Sequence, residues 1–320
     1  MGCRVEDLFQ MDDAPVERQI HPVAPTVSTS TRAVVANVGG RLVAHPLAAD
    51  HALQEGFASA DAVLVRSHEQ VTARLLVPEE RVERTALVLG CDPGLSVLVG
   101  HLSRRSPDTR LTWLPASSRQ SLDAVTRGEA HLAGSHLRDP DGQEYNVAHA
   151  REALGSEGGL VMVFASWEQG FLVAPGNPKG IRSVVDLARL DVRLVNRERG
   201  AGARQLLDDL LEQDGIPRER IQGCGREVGS HLSVARAVAS GTADVGLALR
   251  AAADVYGLDF VPLAHARFDL VIPRAVLGHP AVSVLLELLQ GRALREELAA
   301  LPGYEVSQMG TVVMDVGAVG

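Results

Sequence analysis

Three turns in this chain carry residue types suited to holding a small ligand. The first, Gly90-Cys91-Asp92-Pro93-Gly94-Leu95-Ser96, places a carboxylate and a hydroxyl where an apolar run gives way to a helix. The second, Pro115-Ala116-Ser117-Ser118, offers two hydroxyls at another helix start. The third runs from Asn196 to Arg204 and combines Arg197, Arg199 and Arg204 with Gly200 and Gly202. Its glycines let the backbone approach a ligand closely, and a helix N-terminus presents free N–H groups to an anion. Two further points belong with them: Ser135 and His136 just past a strand end, and His231 at the start of a helix.

Each of these residues also has a structural reading. Asp92 and Ser117 fit the role of helix caps. His136 and His231 fit that of partly exposed structural histidines, His231 also that of a helix cap, and the arginines fit solvated surface charges. Arginine at a helix start opposes the macrodipole, which tilts the third turn towards binding. Candidates for catalysis are weaker. There is no HExxH, no GxSxG and no paired-carboxylate constellation. No nucleophile has an assigned base, so an enzyme is not expected. The glycines match neither G-x-G-x-x-G nor a phosphate loop, so no cofactor is expected. The three cysteines, Cys3, Cys91 and Cys224, are widely spaced and read as inert thiols, with no metal site.

The elements that must position these turns follow from periodicity. Residues 1–13 are charged, and residues 14–31 are rich in Pro, Ser and Thr and read as a linker. Two β-branched runs, 32–38 and 41–45, flank Gly39-Gly40 and predict a tight hairpin. A helical stretch near 50–58 and apolar runs at 62–65 and 71–77 complete a small α+β module over 32–84. From Thr85 strands and helices alternate, the pattern of a largely parallel sheet covered by helices. Strands are predicted at 85–91, 110–114, 129–134, 160–165, 170–173, 192–196, 244–249, 260–263 and 270–272. Helices are predicted at 95–105, 117–127, 184–188, 203–214, 231–240, 250–256 and 281–289. Ligands in such sheets bind beyond the C-terminal strand ends, where all three turns lie.

Bulk composition narrows the partners. The 320 residues carry 31 Lys+Arg against 40 Asp+Glu, a formal net charge of −9. That balance disfavours binding to DNA or anionic lipid by this chain. No apolar run is long enough to span a bilayer, and the N-terminus lacks the apolar core of an export signal. A cytoplasmic protein is expected, and homodimerisation stays open.

From Leu87 to about Thr311, roughly two-thirds of the chain, the sequence resembles the solute-binding-like domain related to periplasmic molybdate-binding proteins. That domain occurs fused to helix-turn-helix regulators and to some molybdopterin molybdotransferases. The matching segments include Gly90-Cys91-Asp92-Pro93, Leu111 to Ser118, Gly128 to Gly134, Glu144-Tyr145-Asn146, Glu168-Gln169-Gly170, Val173 to Gly180, Val195-Asn196-Arg197 and Leu258 to Leu263. The resemblance implies an α/β, bilobal type II periplasmic-binding-protein-like fold. One lobe would span about 85–165 plus 265–320 and the other about 166–264, closing on a molybdate- or tungstate-like oxyanion. Where relatives carry Gly-Ser-Gly-Thr-Arg, this chain has Gly200-Ala201-Gly202-Ala203-Arg204. Loss of two hydroxyl donors to a charged ligand costs on the order of 3–6 kcal/mol unless other donors replace them.

Met1 to Phe9 resembles the closing segment of repressor-type helix-turn-helix domains, without the helices that would precede it. The combined expectation is the ligand-sensing portion of a transcription regulator. Its binding residues would be Asp92, Ser96, Ser117, Ser118, Ser135, His136, Arg197, Gly200, Gly202, Arg204 and His231. An accessory ligand-binding domain of molybdenum-cofactor synthesis, or a scaffold that has lost its ligand, are the alternatives.

Overall fold

The computed structural model describes residues 17–23, 31–47, 58–67, 70–139 and 144–317. The helix-turn-helix-like segment 1–13 and, apart from Ala58, the helical stretch expected near 50–58 lie outside them. The chain divides into two compact units, residues 1–85 and 86–320.

The first unit is a six-stranded sheet with one helix. Its strands are β1 (Glu17–Gln19), β2 (His21–Pro22), β3 (Thr31–Val38), β4 (Arg41–Pro46), β5 (Ala62–Ser67) and β6 (Gln70–Leu75), ordered β1-β6-β5-β3-β4-β2. Gly39 and Gly40 sit at φ 60° and 82°, the left-handed pair that a two-residue hairpin turn between β3 and β4 requires. Two expectations change here. The segment read as a linker contributes β1 and β2, which pair with β6 and β4 through backbone hydrogen bonds that side-chain periodicity does not reveal. The charged stretch after Pro78 forms helix α1 (Glu79–Glu83), whose one buried residue, Val82, joins the core of Ala33, Val35, Ala44, Leu64 and Leu75.

The second unit is the α/β bilobal body. Its elements are β7 (Thr85–Gly90), α2 (Leu95–Arg105), β8 (Arg110–Pro115), α3 (Ser118–Thr126), β9 (Leu132–Ser135), α4 (Val147–Leu154), β10 (Gly159–Val173), β11 (Leu194–Arg197), α5 (Gly202–Gln213), β12 (Glu227–Val228), α6 (His231–Ala239), β13 (Val245–Leu249), α7 (Arg250–Val255), β14 (Asp259–Pro273), α8 (Pro280–Leu289), α9 (Arg292–Ala299), β15 (Tyr304–Glu305) and β16 (Val312–Val316). The strand order β12-β11-β13-β10-β14-β9-β7-β8 divides around one antiparallel pair, β10 and β14. On one side β9 joins the C-terminal half of β14 and β7 pairs parallel with β9. On the other, β13 joins the C-terminal half of β10, with β11 parallel to it. Each side is one lobe, and the long pair runs through both.

Each long strand was expected as two short ones. In β10 the stretch Phe164-Ala165-Ser166-Trp167-Glu168-Gln169 breaks the apolar pattern, yet its backbone stays paired to β14 across two register shifts. Hydrogen-bond pairing, not hydrophobic alternation, carries the strand across the lobe boundary. Helices α4 and α9 were not anticipated; both are short, and Leu154, Leu294 and Leu298 supply their buried anchors along with Ala150. One core extends from Leu98 and Leu102 on α2 through Phe164, Trp167 and Phe268 to Val234 and Val238 on α6. Phe171, Val173, Leu187, Leu207 and Leu247 build a second core within the β11–α5 lobe.

Packing is tight at Gly134 on β9. A Cβ built there would lie 2.2 Å from Cζ of Phe268, a ring with no exposure. Gly134→Ala is expected to destabilise the chain by about 1–3 kcal/mol in urea unfolding. Combined with Phe268→Leu, its further cost should shrink, because the smaller side chain frees the space the new methyl needs.

Candidate functional site

Strand ends and helix starts from both lobes meet at a buried boundary. From the first lobe, β7 delivers Cys91 and Asp92, β9 ends in Ser135 followed by His136, and α3 begins at Ser118 behind its cap Ser117. From the second lobe, β11 ends in Arg197, α5 starts at Gly202 and α6 at His231. Trp167 and Gln169 lie on β10, in the stretch that crosses between the lobes. All of these side chains are buried.

The lobes touch closely at this boundary. The Arg119 N–H donates to the Gly200 carbonyl at 3.1 Å. Arg138 and Gln205 exchange two hydrogen bonds, at 3.1 and 3.2 Å. A Cβ on Gly202 would lie 2.5 Å from the His136 carbonyl oxygen and 2.6 Å from its Nδ1. Glycine is therefore required for α5 to seat against β9, and the conformation is closed.

Arg197 dominates the electrostatics. Its side chain is 1% exposed, and two hydrogen bonds of 2.8 and 2.9 Å tie its Nε and Nη2 to Glu198. Its Nη1 is buried with no hydrogen-bond partner among the described residues. Burial, with the Arg197 charge adding to it, pushes His136 down to about 3 and holds His231 well below the usual imidazole range. Both imidazoles are neutral at physiological pH. Burial pushes the Cys91 thiol up to about 12, against the pull of Arg197.

Other buried groups share the unpaired condition. Ser135 Oγ, Trp167 Nε1, Gln169 Oε1, His136 Nε2, both ring nitrogens of His231 and Asp92 Oδ2 have no hydrogen-bond partner among the described residues. Such atoms are rare in a folded interior, and those on His136 and His231 lie within the field of the buried Arg197 guanidinium. Trp167 packs its ring against His136, Phe268 and Tyr304 at centroid distances of 5.3, 4.9 and 5.9 Å.

Several sequence-selected residues have structural duties at this boundary. Ser117 caps α3 reciprocally with Gln120. Ser118 Oγ accepts from the His136 N–H at 3.2 Å. Asp92 Oδ1 accepts from the Gly94 N–H and from the Tyr304 hydroxyl, latching the C-terminal segment to the first turn; burial raises this carboxyl to about 7. Two other selections are not brought into the buried cluster. Ser96 is exposed and donates to the Pro93 carbonyl. Arg204 is turned to Asp208, Glu227 and the Arg197 carbonyl, so three acceptors consume the charge expected for a ligand. Arg204 lines an outer pocket with Arg119, His149 and Arg218 that shares no side chain with the buried cluster.

Sequence reasoning passed over Cys91, Trp167, Gln169, Glu198 and Tyr304 as site residues. Trp167 and Gln169 had one available signal: polar and indole groups interrupting an otherwise apolar strand.

Comparison with known proteins places the chain. Residues 99–290 match the PBP superfamily domain, and the chain belongs to that family. It is 30% identical over 229 residues to the uncharacterized protein YvgK of Bacillus subtilis (strain 168), covering 72% of this chain and 73% of that one. Among solved structures, a substrate-binding protein from Clostridium perfringens with bound phosphate aligns at a TM-score of 0.52 and 13% identity, over 67% of this chain and 96% of its own. The sulfate-binding protein SubI of Mycobacterium tuberculosis H37Rv aligns at 0.52 and 16%, over 69% and 86%. The fold is thus that of two-lobed substrate-binding proteins. Among the described residues no helix is long and apolar enough to cross a membrane.

The Asp92–Tyr304 latch yields a direct test. Tyr304→Phe removes one hydrogen bond from a buried carboxyl, and the loss should lower stability by about 1–3 kcal/mol in thermal or urea unfolding. Tyr256→Phe, on a partly exposed ring, should leave the midpoint unchanged.

Proposed function

We propose that this chain is a cytoplasmic sensing domain of a transcription regulator, closing its two lobes around a small tetrahedral oxyanion without transforming it. One observation carries the anion assignment: a buried guanidinium keeps one nitrogen unpaired beside two neutral imidazoles. An anion there gains charge-assisted hydrogen bonds from Arg197 Nη1, and the Ser135 hydroxyl and Trp167 indole N–H add neutral donors. The phosphate-bound and sulfate-binding structural neighbours support the same class of ligand. Molybdate and tungstate are the specific candidates from the sequence resemblance.

Ala201 and Ala203, both 1% exposed, stand where relatives hold hydroxyls. In this reading Arg197, Ser135 and Trp167 replace the donors that position lost. Closure supplies the signal: a ligand held by both lobes stabilises the closed form by mass action and shifts the population towards it.

Isothermal titration with molybdate, tungstate, sulfate and phosphate tests the reading. At least one should bind one per chain, and Arg197→Gln should weaken that binding by about 10- to 150-fold, the loss of one hydrogen bond to a charged group. Gly202→Ala should weaken it as well, by blocking closure rather than by removing a donor. Absence of binding by all four would overturn the oxyanion assignment.

A further inference from the structure

The same boundary holds a second arrangement, which shares His136 and His231 with the oxyanion reading and adds Cys91. Cys91, His136 and His231 each turn one ligating atom, Sγ or a ring nitrogen, to within 4.8 Å of the other two. They are 4%, 1% and 0% exposed. His231 has neither ring nitrogen hydrogen-bonded among the described residues, and His136 keeps Nε2 unpaired. A neutral imidazole carries one lone pair that wants a donor or a cation. Two such rings converge on a thiol, and none of the three nitrogens His136 Nε2, His231 Nδ1 and His231 Nε2 has a hydrogen-bond partner among the described residues.

A borderline-soft cation satisfies all three groups at once. Thiolate and imidazole are the preferred ligands of zinc, and three protein ligands with an open fourth position is an established coordination pattern for it. A neighbouring group fits that role too. The Gln169 side-chain amide meets His136 Nδ1 at 3.0 Å. The structure turns the Gln169 amide nitrogen to that atom; rotating the amide pairs its Oε1 instead, places the proton on Nδ1 and frees the Nε2 lone pair for the metal. Charge is no obstacle, because Arg197 is already balanced by its two hydrogen bonds to Glu198. Binding forms a metal–sulfur bond and releases the Cys91 proton to solvent, with no change of oxidation state.

We propose that Cys91, His136 and His231 form a zinc-class metal site that bridges the two lobes. Cys91 and His136 come from the β7–β9 lobe and His231 from the α6 lobe, so the complete ligand set exists only in the closed form. The metal is therefore a second closing agent. The Arg197 charge acts on all three of its ligands.

The test uses the full chain, stripped with chelator, kept reduced and titrated with Co²⁺ as a spectroscopic stand-in for Zn²⁺. One equivalent should produce a near-ultraviolet thiolate-to-cobalt charge-transfer band with tetrahedral visible bands, and Zn²⁺ should bleach both. Cys91→Ser should abolish the charge-transfer band, and His231→Gln should weaken Co²⁺ binding by more than about tenfold. Far-ultraviolet circular dichroism confirms that each variant is folded. Arg197→Gln should keep the cobalt bands while losing the oxyanion response, which separates this site from the anion reading. Failure of wild type to bind Co²⁺ or Zn²⁺ would overturn the proposal. So would a band that survives in Cys91→Ser, since it would belong to Cys3 or Cys224.

Discussion

The antiparallel pairing of β10 with β14 is the constraint on which the rest of the second unit depends. Fifteen residues on each strand run through both lobes, with the register shifting twice between Val163 and Gly170. Each shift relaxes the ladder locally without ending it, and bulges of this kind add bend and twist to a strand pair. The shifts bracket Trp167 and lie next to Gln169, which puts the interruption in the ladder beside the unpaired polar groups. A strand that had to satisfy only hydrophobic packing would have no reason to bury an indole N–H and an amide there. The backbone pairing holds those groups in place, and the lobes then close over them.

Arg197 sets the chemistry of what can enter. A buried guanidinium is tolerated because Glu198 neutralises it, yet the pairing uses Nε and Nη2 and leaves Nη1 directed elsewhere. Desolvation and this charge together keep His136 and His231 neutral, so they add hydrogen-bonding capacity without adding positive charge. Arg204 lies seven residues away and makes the contrast plain. Three acceptors surround it, two of them carboxylates, and it functions as the anchor of α5 against β11 and β12.

Much of this organisation was legible in the sequence wherever a periodic pattern coincided with a buried face. Helix α2 spans Leu95–Arg105 as its apolar spacing predicts, and α6 begins at His231 behind the cap Ser230. The alternation of strands and helices after Thr85 and the family-like segments together indicated the bilobal class. What escaped was set by non-local pairing. β1 and β2 gain nothing from side-chain burial, and the middle of β10 and β14 is held by the partner strand's backbone. Individual roles at the site were harder still. Arg197 and Arg204 share a loop and a chemistry, and only the positions of Glu198, Asp208 and Glu227 decide which one keeps an unpaired nitrogen. Cys91 stands isolated in sequence, and the histidines that the fold brings near its thiol lie 45 and 140 residues further along the chain.

The alanines at 201 and 203 are best understood through this geometry. Both are nearly fully buried, and Gly202 between them sits against His136 with no room for a side chain. Hydroxyls at 201 and 203 would each need an acceptor in this tight contact or a ligand to receive them. Alanine avoids that cost and leaves the start of α5 to serve as a packing surface for the opposite lobe. The donors available to a ligand then come from the strand ends and the crossing strand: Ser135, Trp167 and Arg197. The unpaired donors at this boundary thus sit on the sheet and the crossing strand rather than on the start of α5.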